Sequence, residues 1–199
     1  MLGRPVCTLT TFLIALSAIS AQQNNPDLPQ TLSRISASVI TGESTELLRQ
    51  LTDDIGARLV GSPAYERAVE WAAAKFQEAG LLRRQLMRGS VTIEAEWQNE
   101  VTGPVQVSNV VAEIAGSELA REWVLLGAHL DSWDLGTGAQ DNGTGVVMVL
   151  EAAHAIASLG KAPRRSIRFA LWAAEEPGPP GSAMFIKRHA TEFRIAWLS

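Results

Sequence analysis

The stretch WVLLGAHLDSWDLGTGAQDNGTG, residues 123–145, predicts the fold because an apolar run leads directly into a polar, glycine-rich segment. Residues 123–128 are nearly all apolar, which is typical of a strand that is buried in the centre of a sheet. The glycine, asparagine and aspartate residues of 131–143 predict a loop, and the alanine-rich run 145–159 predicts a helix. A strand, a loop and a helix in this order favour an α/β fold.

The rest of the chain continues this alternation of helices and strands. Ser62 and Pro63 form a helix start, since a hydroxyl can cap the first turn and the proline ring suits it. That helix ends near Gly80. Further helices are predicted at 32–40, 45–51 and 182–189, and further strands at 91–97, 109–114 and 167–173. We therefore predict an α/β/α sandwich around a mixed, partly parallel sheet that is incomplete at its C-terminus.

The first residues have the order of a secretory signal peptide. A positive Arg4 precedes an apolar run, and small residues then lead into a polar stretch. We expect residues 1–21 to be this leader and residues 22–199 to be a partial catalytic domain, with N-terminal helices at 31–80 and the core sheet at 90–189. An uncleaved membrane anchor is the alternative, and no other segment predicts membrane contact. The expected location is extracytoplasmic: periplasm, extracellular space or the lumen of the secretory pathway.

Composition excludes several classes of function. The only cysteine, Cys7, lies in the leader, so a mature chain would have no disulfide and no thiolate ligand. The excess of 21 acidic over 17 basic residues argues against a nucleic-acid partner. The glycines around position 138 do not fit a dinucleotide-binding pattern. The chain also lacks the G-x-S-x-G motif of many serine hydrolases. Oligomeric state is left open, with a homodimer as one option.

Three groups of polar side chains follow the predicted strands. His129 and Asp131 come directly after the strand at 123–128, Asp141 lies just before a helix, and Glu175 with Glu176 ends the strand at 167–173. The carboxyl ends of parallel strands are where α/β sheets place functional residues. Singly, each group has an ordinary structural interpretation: a hydrogen-bonded histidine, a turn or a solvated helix start. Their combination is what favours a site.

Histidine and carboxylates without cysteine suit a catalytic zinc site better than a structural one. A histidine ligand usually donates its other ring N–H to a carboxylate, and Asp131 is placed to accept it. Asp141 could bridge two metals with its two oxygens. Of two adjacent glutamates, one can bind metal while the other takes a proton from the attacking water. His154 and His189 are assigned no role in the site.

Two long motifs carry a resemblance to a known family. The motif at 129–145 and RRSIRFALWAAEEPG at 164–178 closely resemble the co-catalytic, two-zinc peptidase family of bacterial aminopeptidases and glutamate carboxypeptidases. The stretch at 53–81 is similar to this family as well. The resemblance implies a zinc-peptidase type of α/β/α fold and hydrolysis of small peptides or dipeptides by a water that bridges two Zn²⁺ ions. The choice between aminopeptidase and carboxypeptidase is left open.

The resemblance also implies a role for each residue. His129 would bind one zinc, Asp141 would bridge both ions, and Glu176 would bind the second. Glu175 would be the general base and Asp131 the partner of His129. The peptide bond after Asp141 would be cis.

Departures from the family pattern qualify these roles. The family's remaining ligands are an aspartate and a histidine further along the chain. No aspartate follows Asp141 here, so each zinc would lack one protein ligand. In addition, only about twenty residues, 87–108, stand where relatives carry an inserted domain. A truncated or catalytically inactive secreted remnant of the fold is therefore the alternative to an active metallopeptidase.

Overall fold

The computed structural model describes residues 27–91, 105–178 and 180–190 of the chain. The described helices are α1 (Leu28–Ile40), α2 (Ser44–Arg49), α3 (Pro63–Glu78), α4 (Thr144–Ala157) and α5 (Pro180–Arg188). The strands are β1 (Leu82–Val91), β2 (Val105–Ile114), β3 (Leu119–His129) and β4 (Arg165–Trp172). A short π-helical turn spans Gln50–Ile55, directly after α2, and a kinked turn, in which Asp141 and Asn142 have non-helical φ/ψ angles, spans Ala139–Gly143, directly before α4.

The described strands form one sheet in the order β1-β2-β4-β3. β2 is antiparallel to both β1 and β4, whereas β3 and β4 are parallel. The prediction of a mixed, partly parallel α/β sheet is therefore confirmed. His129 at the end of β3 pairs with Trp172 at the end of β4, so residues that follow these two strands emerge at the same edge.

Helices cover both faces of the sheet. On one face, α3 and α4 bury a large apolar core, in which the Phe76 and Phe169 rings lie 6.3 Å apart. The start of α3 is as predicted, because the Ser62 side chain accepts a hydrogen bond from the Tyr65 N–H at 3.1 Å. On the opposite face Phe185 of α5 packs against the Trp172 ring at 5.1 Å. The result is a helix–sheet–helix sandwich.

Two details of the sheet differ from the sequence predictions. β1 begins at Leu82, whereas a strand was predicted at 91–97, and residues 92–97 lie outside the described part of the chain. The sequence of β1 carries three arginines and lacks apolar alternation, so backbone pairing with β2 defines it instead. β3 was expected at the centre of the sheet, but among the described residues it is an edge strand. Leu126 and Ala128 pack against one core cluster and Trp123 and Leu125 against the other, whereas Val124 is 49% exposed, as suits an edge strand.

The predicted signal peptide, residues 1–21 with Cys7, lies outside the described residues. Within the described ranges, none of the helices combines the length and the apolar character that a membrane crossing requires. Secretion therefore stays a prediction.

Candidate metal centre

Three predicted ligands come together beyond the carboxyl ends of β3 and β4. His129, Asp141 and Glu176 each offer a ligand atom, and these atoms all lie within 4.8 Å of one another. The parallel pairing of β3 and β4 brings two of the three together, because both strands end at one edge. The kinked turn before α4 supplies the third ligand, Asp141. The Asp141–Asn142 peptide in that turn is cis, as expected.

The His129 ring lies between two carboxylates. Its Nε2 is 2.9 Å from Asp141 Oδ1, and its Nδ1 is 3.2 Å from the Asp131 carbonyl oxygen and 3.6 Å from Asp131 Oδ1. The Asp131 carboxylate is the main cause that raises the pKa of His129 to about 9, with Asp141 adding to it against the effect of burial. The imidazole in this cluster therefore holds a positive charge at neutral pH.

Asp131 organises the site more widely than the sequence suggested. Its side chain is fully buried, and Oδ1 accepts a hydrogen bond from the Glu175 N–H at 3.1 Å while Oδ2 accepts one from the Glu176 N–H at 3.0 Å. Asp131 was predicted to accept the His129 ring N–H through its carboxylate, but Oδ1 lies 3.6 Å from Nδ1, which is longer than a hydrogen bond, and the Asp131 carbonyl oxygen is nearer at 3.2 Å. Asp131 thus ties the end of β3 to the backbone of the glutamate pair after β4.

The structure separates the two glutamates. Glu176 belongs to the metal-ligand cluster, whereas Glu175 lies beside it, half-buried. Burial raises the pKa of Glu176, and the neighbouring Asp141 carboxylate raises it further, because two close negative charges oppose each other. A cation at this point would relieve that repulsion.

Sequence reasoning missed Arg58, which lies between the π-helical turn and α3. Its side chain is fully buried, and burial lowers its pKa to about 10. The guanidinium donates to backbone carbonyl oxygens on both sides of the site, and the Arg58 N–H donates to Ser132 Oγ at 3.0 Å. A buried arginine has no periodic signature in a sequence, so only the tertiary structure reveals it.

Asn109 was also missed, because its position in β2 predicts only a strand residue. The buried side chain accepts a hydrogen bond from the Ala173 N–H and donates one to the Gly181 carbonyl oxygen, both at 2.8 Å. Ala173 and Ala174 form the turn that leads from β4 to the glutamate pair, and Ala174 has a φ of 58°. Asn109, in the neighbouring strand β2, therefore holds this turn in place.

These donors fit a zinc ion. One imidazole nitrogen and two carboxylates are a set that catalytic zinc sites use, and a zinc ion would displace the proton that the His129 ring holds beside these carboxylates in the metal-free protein. The Asp141 side chain is 75% exposed, so the cluster opens to solvent, as a catalytic rather than a structural site requires.

His154 on the exposed side of α4 and His189, which stacks on Phe185, are not part of this cluster.

Solved structures share this architecture. They include a peptidase M28 precursor from Shewanella amazonensis, with a TM-score of 0.68 and 21% identity over 82% of this chain and 71% of that chain. A zinc aminopeptidase from Bacillus subtilis gives a TM-score of 0.57 and 15% identity over 73% of this chain and 64% of that chain. The chain therefore has the same fold as these two proteins.

The sequence comparison points to the same proteins. Residues 109–198 match the model described as Peptidase family M28, so this segment is similar to that family of hydrolases. Among curated proteins, carboxypeptidase Q of Bos taurus is 36% identical over 119 residues, 59% of this chain and 25% of the relative. Leupeptin-inactivating enzyme 1 of Streptomyces exfoliatus is 29% identical over 174 residues, 87% of this chain and 35% of the relative. The chain thus spans a quarter to about a third of these relatives.

The resemblance inferred from the motifs at 129–145 and 164–178 is confirmed by this match, since both motifs lie inside the matched segment. The roles of the individual residues and the number of metal ions stay predictions.

Proposed function

We propose that this chain is part of a zinc-dependent exopeptidase that hydrolyses peptide bonds of small peptides or dipeptides. The observation that carries the proposal is the convergence of His129, Asp141 and Glu176 within 4.8 Å, with Glu175 held next to them. The family match and the zinc aminopeptidase of the same fold support it.

The complete site is proposed to hold two zinc ions. His129 would help to hold one ion and Glu176 the other, and Asp141 would contribute to both. Zinc in such a site supplies a Lewis acid, which polarises the substrate carbonyl and makes a nearby water more acidic.

The protein's own groups supply the proton transfer. The Glu175 carboxylate takes the proton from the attacking water and returns it to the nitrogen of the departing amine. Its backbone N–H is fixed by the buried Asp131 carboxylate, which also fixes the N–H of Glu176. One buried carboxylate therefore fixes the backbone from which the general base and the metal ligand project, and such positioning is a large part of catalysis.

The test combines metal content with turnover. We expect purified protein to bind zinc and to cleave members of a dipeptide panel, with activity abolished by a chelator. Glu175→Gln should leave zinc content nearly unchanged and lower kcat by roughly 10²–10⁴-fold, the usual loss for one general base. Glu70→Gln, an exposed change on α3, is the matched control and should behave as wild type. Zinc-independent cleavage, or equal rates for the two variants, would rule out this mechanism.

A second candidate is a remnant of the fold that binds zinc without turnover. This candidate is favoured because the ligand cluster contains three residues in the part of the chain that the structure describes. Three residues are few for two zinc ions, since one catalytic zinc usually has three protein ligands. The same experiment separates the candidates, because the remnant would bind zinc and cleave no dipeptide. Export by the predicted leader and the absence of a nucleic-acid partner are proposed for both candidates, whereas small peptides are proposed as substrates of the active enzyme alone.

A further inference from the structure

Arg58 is a fully buried cation that uses backbone oxygens as its acceptors. Within the described residues, five carbonyl oxygens lie within 3.5 Å of its guanidinium nitrogens, three of them sharing the two hydrogens of Nη1, and the guanidinium forms no ion pair. A buried charge is unfavourable unless it is well hydrogen-bonded, so this arrangement holds only where the surrounding carbonyls are held too. The coupling acts in both directions: Arg58 is fixed by those carbonyls, and they are fixed by Arg58.

The acceptors belong to the segments that carry the metal ligands. Nε donates to the Leu130 carbonyl oxygen at 2.7 Å, and Leu130 is the residue after His129. Nη1 and Nη2 donate to the carbonyl oxygens of Thr137 and Gly138 at 2.9 and 3.0 Å. These two residues lead directly into the turn that contains Asp141. One planar guanidinium therefore joins the end of β3 to the loop that supplies the second ligand.

Two further sets of contacts hold Arg58 itself. Nη1 also donates to the Gly56 carbonyl oxygen at 3.1 Å, which connects the site to the π-helical turn. The Arg58 N–H donates to Ser132 Oγ at 3.0 Å, and the Ser132 N–H donates to the Arg58 carbonyl oxygen at 3.2 Å. Arg58 is thereby fixed through its backbone as well as its side chain.

The glycine at position 138 independently shows that the loop packs closely against Arg58. It has a φ of 60°, and a Cβ added there would lie 2.6 Å from Arg58 Nη2 and also against Ser132. Such a distance forces the guanidinium or the loop to move. The loop therefore lies so close to Arg58 that this position has no room for a side chain.

We propose that Arg58 is a positioning residue that sets the distance between His129 and Asp141, and with it the affinity of the site for zinc. The proposal rests on the zinc site proposed above. Among the described residues Arg58 makes no hydrogen bond to the side chain of His129, Asp141 or Glu176, so it acts through the backbone of the two ligand-bearing segments.

The test measures zinc affinity by competition with a chromophoric chelator, together with the melting temperature of the metal-free protein and the absorption spectrum of the Co²⁺-loaded protein. Arg58→Lys keeps the charge but has three donor hydrogens in place of the five of a guanidinium. We expect it to weaken zinc binding about 10–100-fold, the usual loss when groups supporting ligands are removed, and to change the Co²⁺ spectrum. Arg58→Met should weaken binding at least as much.

Matched controls separate this role from general stability. Gly138→Ala should weaken zinc binding as Arg58→Lys does. Gly160→Ala has nearly the same backbone strain, with a φ of 65°, but no atom within 4 Å of the added Cβ, and should leave affinity unchanged. Gly138→Ala also provides the test if Arg58→Lys does not fold.

The outcomes distinguish the two proposals. If wild type binds no zinc, the metal site fails, and the role of Arg58 fails with it. If wild type binds zinc and both Arg58→Lys and Gly138→Ala retain its affinity within threefold, only the role of Arg58 is overturned, whatever their melting temperatures.

Discussion

The Asp131→Asn substitution tests how one buried carboxylate organises the whole site. The change keeps size and shape but removes the charge. One of the two oxygens that accept from Glu175 and Glu176 becomes an NH₂ donor, which would then face an N–H donor. We expect the metal-free protein to lose about 2–4 kcal/mol of stability at pH 6, since a hydrogen bond to a charged group contributes about 1.5–3 kcal/mol and a buried N–H is left without an acceptor.

The same substitution should change the titration of His129. The Asp131 carboxylate is the main cause that raises the pKa of His129 from 6.5 to about 9, so removal of its charge should lower that pKa by at least one unit. A histidine whose pKa is raised in the folded state contributes stability below pH 6.5, and this contribution is lost as the pH rises to 9. In wild type the loss over this range is at most about 3–4 kcal/mol, from a pKa shift of about 2.5 units at 1.36 kcal/mol per unit. In Asp131→Asn it should be markedly smaller.

The measurements are an NMR titration of the His129 ring and urea unfolding in chelator at several pH values. Asp134→Asn, an exposed change in the same loop, is the control and should reproduce wild type. A His129 pKa that stays near 9 in Asp131→Asn would refute the reasoning. It would show that the Asp131 carbonyl oxygen, 3.2 Å from Nδ1, and Asp141 suffice to hold the proton.

Two further predictions concern the glutamate pair. Glu176→Gln should reduce zinc bound per chain, measured by mass spectrometry, because an amide is a weaker ligand than a carboxylate; unchanged zinc content with a lower kcat would exchange the roles of Glu175 and Glu176. Asn109→Ala should destabilise the protein by about 2–4 kcal/mol in urea unfolding, because the Ala173 N–H and the Gly181 carbonyl oxygen each lose a buried partner. A loss below about 0.5 kcal/mol would show that these groups find other partners.

Much of the fold could be predicted because its elements carry local signals. The apolar face of α3, with Ala72 and Phe76 buried, follows from helical spacing, and its start follows from the Ser62 side chain and Pro63. β4 follows from its apolar run. β1 carries no such signal, since an edge strand with three arginines is held by its backbone pairing with β2.

The sequence by itself determined which residues could form the site. His129, Asp141, Glu175 and Glu176 follow or flank strands in a pattern that already indicates metal chemistry, because residue type and position along a strand are local properties. The motifs at 129–145 and 164–178 also showed the resemblance to the peptidase family, because such a resemblance depends on residue identity alone.

Only the tertiary structure decided how these residues are held. Asp131 contacts residues 44 and 45 positions away, and Arg58 contacts carbonyl groups up to 80 positions away. Backbone N–H and carbonyl groups are the same at every position, so a sequence cannot show which of them a buried side chain will meet. Folding alone brings them within hydrogen-bonding distance, and for that reason Arg58 and Asn109 became visible only in three dimensions.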